Sequence, residues 1–518
     1  MTPRTEQLSI AARRAVQARD WTTVQQLASE IQNREDGGAE GFFLAGLVEK
    51  AGRRNAAAAK NFATAIELEP GRYDAAVELA SQYAGLLRYG DAFDVLENLA
   101  VGMRDSPRYL DLAATVYSRI GRWDRAWPLS VRADELQPDV QVIMANKAQC
   151  AVSVGRIDDA KAIYHRLLQQ HPNHQRNHYQ LSRLEPAQDD QHVQQMLQVL
   201  ETNGLPPRGN IFLYYALGKE LEDLERWDES FNYYKLAGDA ASAAANTGIR
   251  GELDLIDSIV EVCNDRWLAS QPQEELFDRR PIFIVGLPRT GTTLVERIIS
   301  AHSQVESAGE TLTIENMLRG GKGRVGEMSA KAIRAAASSD SASIGRDYLN
   351  AIDYMLGDKP MFIEKYTYNY LYLGFIAKAF PGAPIVHLQR HPMDACFAMY
   401  KQPFFSFAYT LGDLAQYYPA YDRLMNHWRS LLGTRLIEVS YESLVTNPEI
   451  ETRQLLDKLG LDFESACLDF YRNAAPSATA SSVQIREKVH TRSVNRWSSY
   501  EKQLLPLRDK LRSAGIAV

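Results

Sequence analysis

Two patterns of apolar and polar positions divide the 518-residue chain. In the first, apolar and small residues recur at helical spacing, and the whole pattern repeats. Its turn positions advance in steps of 35, 34 and 34 residues, and they are Gly52-Arg53, Leu87-Arg88, Gly121-Arg122 and Gly155-Arg156. Small residues follow in register, at Ala58, Ala92, Ala126 and Ala160. Because one helical hairpin cannot bury its apolar face alone, this period predicts hairpins stacked into a superhelix.

One unit, GRWDRAWPLSVRADELQP at 121–138, shows the layout of a turn, a helix with a small-residue packing face, and a proline stop. This layout resembles the tetratricopeptide repeat. A further unit starts at Glu225-Arg226, and the unit before it, near LEPAQDDQHV, is degenerate. An ordinary helical bundle is the alternative. The pattern leaves open whether the groove of the repeats binds a peptide, another subunit or the chain's own second half.

The second pattern begins at Pro281, where strand-like apolar runs alternate with helical stretches. The runs are PIFIVG, MFIEK (361–365), APIVHLQR (383–390) and RLIEVSYE (435–442). Such alternation predicts a parallel sheet with helices on both faces, whose ligands bind at the carboxyl ends of the strands. We therefore predict an α + α/β protein with a helical repeat domain over 1–245, a helical linker over 246–280 and an α/β domain over 281–518.

Composition narrows the function. The formal net charge is −7, which argues against a surface built mainly to bind nucleic acid. Four cysteines lie far apart without C-x-x-C spacing, so neither a zinc site nor a disulfide framework is expected. The first residues lack the apolar core of a signal peptide, and no apolar run reaches the length of a membrane span. We expect a cytoplasmic protein.

The stretch PIFIVGLPRTGTTLVERIIS, 281–300, carries the clearest chemistry. A strand, a glycine-containing loop and a helix N-terminus together bind an anion, because loop amides and the helix dipole converge on it. The spacing is G-x-x-x-x-G-T-T, so Thr292 stands where a Walker loop carries lysine. The loop is thus P-loop-like without the residue that triphosphate hydrolysis needs. A threonine-capped turn between strand and helix is the structural alternative.

A second cluster, VHLQRHPMDACFAMYKQPF at 386–404, places Arg390 at the end of a predicted strand. An arginine there can bind a phosphate through two parallel hydrogen bonds. The alternative is an ion pair of Arg390 with Asp394 or Glu364.

Together these two motifs resemble those of the sulfotransferases, and the chain is most similar to bacterial members in which tetratricopeptide repeats precede the catalytic domain. That domain resembles the tyrosylprotein sulfotransferases. The resemblance implies that the 5′-phosphosulfate of the donor is held by Arg289, Thr290, Gly291, Thr292 and Thr293, and its 3′-phosphate by Arg390. The family usually has a serine eight residues after that arginine, where this chain has Ala398. Lys401, one turn on, is a candidate substitute.

The resemblance also implies two catalytic residues. Glu310, in ESAGETLTIENML, matches the family's base, which takes the proton of the acceptor hydroxyl. Lys365, at the end of MFIEK, matches a lysine that neutralises the bridging oxygen as the sulfuryl group departs. A helix-terminal glutamate and a solvated surface lysine are the respective alternatives.

Further donor-binding residues follow from the same resemblance. Tyr441 matches a tyrosine near the donor, with simple packing as the alternative. The segment SSVQIREKVHTRSVNRW, 481–497, resembles the loop that covers the donor. Its candidates for the 3′-phosphate or adenine side are Ser482, Arg486 and Lys488.

The implied activity is transfer of a sulfuryl group from 3′-phosphoadenosine-5′-phosphosulfate to an acceptor hydroxyl, with adenosine 3′,5′-bisphosphate as product and no metal. The acceptor is a peptide or protein tyrosine, reached through the repeat groove, or else a glycan, a lipid or a small phenol. A homodimer is a further option. Two other functions stay open: a nucleotide kinase, and a non-catalytic repeat scaffold with a nucleotide-sensing domain.

Overall fold

The computed structural model describes residues 2–99, 106–246, 248–270, 278–320, 328–338, 340–473, 475–477, 479 and 482–518. These residues form two compact units. The first takes in the chain up to Cys150 and the segment Leu349–Met355, and the second takes in most of the chain from Ala151 onward.

The first unit is built from helical hairpins. Its helices are α1 (Pro3–Gln17), α2 (Trp21–Gln32), α3 (Gly38–Ala51), α4 (Asn55–Leu68), α5 (Tyr73–Gly85), α6 (Tyr89–Glu97), α7 (Pro107–Arg119), α8 (Trp123–Leu136) and the first part of α9 (Gln141–Val154). The alanines that the sequence placed on the packing faces are fully buried: Ala58, Ala92 and Ala126 each show 0% exposure. The predicted stacking of hairpins is confirmed.

The turns between paired helices correct the register of the repeat. A residue with positive φ recurs at Arg19, Arg53, Leu87, Gly121 and Gly155. In the first of the predicted turns, the residue equivalent to Leu87, Gly121 and Gly155 is therefore Arg53 and not Gly52. An additional repeat unit precedes this one, with its turn at Arg19. Left-handed backbone favours glycine but does not require it, which is why the sequence pattern alone misplaced this position by one residue.

The second unit begins with further hairpins, and α/β structure follows them. Its helical hairpins and the segment after them comprise α10 (Ile157–Gln170), α11 (Gln175–Leu184), α12 (Gln191–Thr202), α13 (Ile211–Asp223), α14 (Trp227–Ala245), α15 (Arg250–Val262) and α16 (Asp265–Leu268). The helices of the α/β part are α17 (Thr292–Ser300), α18 (Thr313–Leu318), α19 (Ala330–Ala336), α20 (Ser341–Ile352), α21 (Leu373–Ala379), α22 (Pro392–Tyr400), α23 (Leu411–Leu432), α24 (Tyr441–Thr446), α25 (Pro448–Leu459) and α26 (Glu501–Ser513).

A five-stranded sheet organises the α/β part. Its strands are β1 (Arg280–Gly286), β2 (Val305–Gly309), β3 (Met361–Glu364), β4 (Ile385–Gln389) and β5 (Leu436–Ser440), in the order β2-β3-β1-β4-β5. Every pairing is parallel, as predicted. The four apolar runs of the sequence became β1, β3, β4 and β5. The prediction missed β2, a short edge strand, because its sequence VESAG lacks an apolar run.

Every residue of β1 after Arg280 is buried, so the core covers both faces of this strand. On one face, Ile282, Ile284 and Val386 are fully buried in a cluster with Val295 and Ile299 of α17. This packing holds the N-terminus of α17 at the carboxyl end of β1, where ligands of parallel sheets bind.

Candidate active site

The loop between β1 and α17 is shaped by backbone that few residues adopt. Gly286, Arg289 and Gly291 all have positive φ, at 148°, 69° and 103°. Within the loop the Thr290 hydroxyl donates to the carbonyl of Leu287 at 2.7 Å, which closes the turn. Thr292 opens the helix, so the loop amides and the positive end of the helix dipole face the same space.

Gly291 is required for two reasons. Its φ of 103° strains any other residue, and a Cβ there would lie 2.6 Å from Cδ2 of Tyr441. We expect Gly291→Ala to lower the free energy of unfolding by about 1–3 kcal/mol, measured by urea denaturation. Gly320→Ala is the matched control, because Gly320 has φ of 95° with nothing within 4 Å of the added Cβ. Equal losses in both variants would show that the contact with Tyr441 contributes nothing.

Arg390 reaches the loop from the end of β4. Its Nη1 donates to the carbonyl of Arg289 at 2.8 Å, and its Nη2 donates to the carbonyl of Ser493 at 2.5 Å. The guanidinium lies 4.9 Å from the centroid of the Tyr441 ring. Its buried Nε has no hydrogen-bond partner among the described residues. Arg390 therefore lies at the loop with one N–H donor, that of Nε, for which the described residues provide no acceptor.

The two carboxylates proposed as alternative partners of Arg390 are engaged elsewhere. Asp394 accepts hydrogen bonds from the amides of Asn495 and Trp497, at 2.7 and 3.0 Å. Glu364 accepts from the Thr311 hydroxyl at 2.8 Å and from the Tyr348 hydroxyl. In the part of the chain that the structure describes, no carboxylate neutralises Arg390.

Arg289 adds a second cation to this region, and the repeats supply a third nearby. Burial, together with the charges of Arg183 and Arg390, lowers the pKa of Arg289 to about 10. Nη2 of Arg289 donates to the side chain of Gln484 at 3.2 Å. Crowded guanidinium groups repel one another, so an anion bound at this loop would reduce the repulsion between them. Arg183 lies on α11, and no feature of the repeat pattern distinguishes it, so the sequence could not have indicated it.

Glu310 and Lys365, which the sequence resemblance indicated separately, lie in contact in the structure. The Lys365 ammonium, fully buried, donates to the Glu310 carboxylate, whose side chain is 42% exposed. The Lys365 amide also donates to the carbonyl of Gly309 at 2.8 Å, which joins the ends of β3 and β2. A solvated surface lysine is thereby excluded. The pair places a proton acceptor that solvent can reach beside a fixed positive charge.

Glu296, on α17, was missed by the sequence analysis. Its Oε2 lies 3.7 Å from the Lys365 ammonium, and its Oε1 accepts from the Ser307 hydroxyl at 2.6 Å. The ammonium of Lys365 therefore keeps a second carboxylate when Glu310 moves or is replaced. The sequence signal that could have indicated Glu296 was its position, one turn after the Thr292-Thr293 pair on a helix that starts at the loop.

Glu364, next to Lys365, is a buried carboxyl that supports the site from behind. Burial raises its pKa to about 7, against hydrogen bonds from Tyr348, Thr311 and Asn369 that lower it. Thr311 directly follows Glu310, so this network holds the turn that carries the candidate base.

The raised pKa of Glu364 makes stability depend on pH. Its carboxyl holds a proton in the folded state up to about pH 7, whereas the unfolded chain releases it near 4.5, so stability falls as pH rises between these values. Glu364→Gln mimics the protonated form and removes this loss. We expect the free energy of unfolding of Glu364→Gln, relative to wild type, to rise by on the order of 3 kcal/mol from pH 5 to pH 8. Urea titrations at both pH values measure it, and a difference that does not change with pH contradicts it.

The remaining candidates have local partners in the structure. The Tyr441 ring lies between Gly291 and Arg390, beside the loop. Ser482 donates to the carbonyl of Ser477 at 2.7 Å, and Lys488 lies 5.7 Å from the Tyr471 ring centroid. Their roles toward the donor stay predictions.

Two basic residues near the motifs contact the repeats of the second unit. Arg486 donates to the carbonyl of Ser153 at 3.3 Å, and its role toward the donor also stays a prediction. Lys401 donates to both oxygens of Glu222, at 2.8 and 2.9 Å, and Arg496 contacts the same carboxylate. The ammonium of Lys401 is thus bound to Glu222, on α13. It does not take the place of the hydroxyl that is missing at Ala398.

Comparison with known proteins defines the class of this domain. Residues 281–465 match the family model described as Sulfotransferase family. The helical hairpins therefore precede, in the same chain, a region that matches the sulfotransferase family model.

The chain is 26% identical over 415 residues to an uncharacterized protein of Aquifex aeolicus (strain VF5), covering 78% of this chain and 54% of that protein. It is 24% identical over 213 residues to protein-tyrosine sulfotransferase 1 of Danio rerio, covering 36% and 55%. The chain therefore spans about half the length of each of these relatives. Among solved structures, the sulfotransferase domain of the Synechococcus PCC 7002 olefin synthase aligns with a TM-score of 0.34 and 18% identity, covering 48% of this chain and 98% of that one.

The described residues contain neither a metal-binding cluster nor a membrane-spanning helix. No group of three or more His, Cys, Asp or Glu side chains there is arranged to hold a metal ion. None of the helices within the described ranges is both long and apolar enough to cross a membrane.

Proposed function

We propose that the protein transfers a sulfuryl group from 3′-phosphoadenosine-5′-phosphosulfate to an acceptor hydroxyl. The observation that carries this proposal is the arrangement of Arg289 and Arg390 around a P-loop-like turn, with the Glu310–Lys365 pair at the ends of neighbouring strands of the same sheet. The unused Nε of Arg390 and the lowered pKa of Arg289 both fit an anionic nucleotide. The donor supplies an activated sulfuryl group on a phosphate leaving group.

Each residue has a defined task in this proposal. The loop amides, Thr292 and Thr293 hold the 5′ end of the nucleotide at the N-terminus of α17, and Arg390 binds its 3′-phosphate. Glu310 takes the proton of the acceptor hydroxyl. Lys365, released from Glu310 once that carboxyl is protonated, stabilises the negative charge on the leaving oxygen.

For the acceptor we propose a tyrosine of a peptide or protein. The name of the Danio rerio relative, a protein-tyrosine sulfotransferase, supports this choice, and so does the presence of tetratricopeptide-type repeats, whose stacked hairpins form extended binding surfaces. A glycan, a lipid or a small phenol is the competing choice for the same hydroxyl chemistry.

The test is transfer of sulfur-35 from labelled donor into a cell extract, separated afterwards into protein, glycan, lipid and small-molecule fractions. We expect label in the protein fraction, on tyrosine. If the label is found in another fraction, the acceptor belongs to that class of molecule, and the proposed reaction still holds. Folded protein that binds no adenosine 3′,5′-bisphosphate, or that transfers phosphate from ATP with magnesium, overturns the proposal.

A further inference from the structure

A cavity of about 770 Å³ lies among the repeats of the second unit, and its lining includes neither the residues of the loop nor the Glu310–Lys365 pair. Its walls come from α10, α11, α12 and α13 and from the segment LEPAQDD, 184–190. This segment belongs to the degenerate repeat, where α11 is only 10 residues long. The departure from the repeat pattern therefore coincides with an opening whose volume is typical of small-ligand sites.

Three side chains in the wall form a hydrogen-bonded chain. Nε2 of His178 bonds the carbonyl of Pro172 at 2.7 Å, and its Nδ1 lies 2.8 Å from Nε2 of His192. Nδ1 of His192 bonds Oε1 of Glu220. A carbonyl only accepts, so Nε2 of His178 carries a proton. Burial lowers the pKa of His178 to about 4, so its ring is neutral near pH 7 and its Nδ1 accepts from His192.

This assignment leaves a single proton between His192 and Glu220. The pair exists either as imidazolium and carboxylate or as neutral imidazole and carboxylic acid, and in both forms Oε1 is occupied. Glu220 is 3% exposed, and its Oε2 has no hydrogen-bond partner among the described residues. A buried acceptor without a donor costs about 1–3 kcal/mol, so a ligand that supplies one is favoured.

The charges of the wall indicate which ligand fits. Glu185 and Asp189 line the cavity together with Glu220, and its described lining includes no lysine or arginine. Amide side chains, among them Gln191 and Gln195, provide neutral hydrogen-bonding groups around them. Glu220 and His192 share one proton and are together neutral. The negative potential that attracts a positive group therefore comes from Asp189 and from Glu185, which lies 3.0 Å from His165. A metal is not indicated, because no metal-binding group of His, Cys, Asp or Glu occurs in the described residues.

We infer that this cavity binds a cationic nitrogen group, an ammonium or a guanidinium, with Glu220 as its buried carboxylate and Asp189 at its rim. The group belongs either to a lysine or arginine side chain of a peptide or to a free polyamine. This site is separate from the proposed sulfuryl transfer and does not depend on it.

The test uses the full chain and isothermal titration calorimetry with three probes. They are spermidine, the capped peptide acetyl-Gly-Arg-Gly-amide, and the same peptide with citrulline in place of arginine. We expect a cationic probe to bind with a Kd of about 1 mM or below, and the uncharged citrulline peptide to bind at least about tenfold more weakly. Binding of spermidine alone identifies a free amine as the ligand, whereas binding of the arginine peptide identifies a side chain.

Variants locate the binding. Glu220→Gln keeps the shape and a hydrogen bond to His192 but removes the charge, and it should weaken binding at least about tenfold. Asp189 is exposed and tolerates change, and Asp189→Asn should weaken the binding of the cationic probe about threefold. This variant still tests the inference if Glu220→Gln does not fold. Asp158→Asn, on α10 with a fully exposed side chain outside the cavity, is the matched control and should bind as wild type does.

Three results overturn the inference: no binding of either cationic probe at about 10 mM, equal binding of the citrulline peptide, or unchanged binding in both cavity variants. Binding of adenosine 3′,5′-bisphosphate, measured on the same samples, should be unaffected by Glu220→Gln. A failure of the nucleotide to bind wild type counts against the proposed function alone.

Discussion

Glu310→Gln is expected to reduce the turnover of sulfuryl transfer by about 10²–10⁴-fold, because an amide cannot take the proton of the acceptor hydroxyl. The substitution is isosteric, and the Lys365 ammonium keeps Glu296 at 3.7 Å as its carboxylate partner. The protein should therefore fold and bind adenosine 3′,5′-bisphosphate as wild type does. Sulfur-35 transfer under donor saturation measures the turnover, and calorimetry measures the binding.

A control separates the loss of the base from a general effect of removing a carboxylate. Glu225→Gln changes an exposed glutamate in a turn of the repeats, and turnover should not change. If Glu310→Gln retains full turnover, Glu310 is not the base. If it loses nucleotide binding and turnover in the same proportion, Glu310 organises the site and takes no proton.

Arg390→Ala is expected to raise the Kd for adenosine 3′,5′-bisphosphate by about 10–100-fold, since a charge-assisted hydrogen bond contributes about 1.5–3 kcal/mol. Adenosine 5′-phosphate lacks the 3′-phosphate, so its affinity should fall much less. Part of any loss will be common to both nucleotides, because Arg390 also donates to the carbonyl of Arg289 and supports the loop. The ratio of the two effects, measured by calorimetry, isolates the 3′-phosphate contact.

Arg250→Ala serves as the control for removing a guanidinium. Arg250 has a side chain that is 88% exposed and pairs only with the neighbouring Asp254, at 3.2 Å, among its described ion pairs. Neither nucleotide should bind it differently from wild type. Equal losses of both nucleotides in Arg390→Ala would assign Arg390 a purely structural role.

Much of the site could be predicted because its chemistry is local in sequence. The loop from Gly286 to Thr293 follows a buried strand and precedes a helix, so one continuous segment specifies its conformation and predicts that it binds an anion. Arg390 could be predicted for the same reason, as a cation at the end of an apolar run. The residues carried over from the sulfotransferase resemblance, Glu310 and Lys365, were predicted separately, and the structure brings them into contact.

Residues that act through the fold could not be predicted. Glu364 is an ordinary glutamate in sequence, and Glu296 differs from one only by its position a turn after Thr293. Their importance arises from burial beside Thr311 and Lys365. Likewise, Lys401 lies one helical turn from Ala398, and this spacing alone favours it as a substitute for the missing serine. The structure directs its ammonium to Glu222, which lies 179 residues away along the chain. Pairings at such separations depend on which helices pack together.

The sequence by itself determined the helical repeats, the parallel strands and the loop between β1 and α17, because periodicity, apolar runs and glycine positions act over a few residues at a time. Tertiary structure decided the edge strand β2, the register of the repeat turns, the free Nε of Arg390 and the cavity around His192 and Glu220. Each of these depends on which groups lose water and which partners they meet when distant segments pack. Burial and partner choice are properties of the folded chain, and they set the charge states that its chemistry uses.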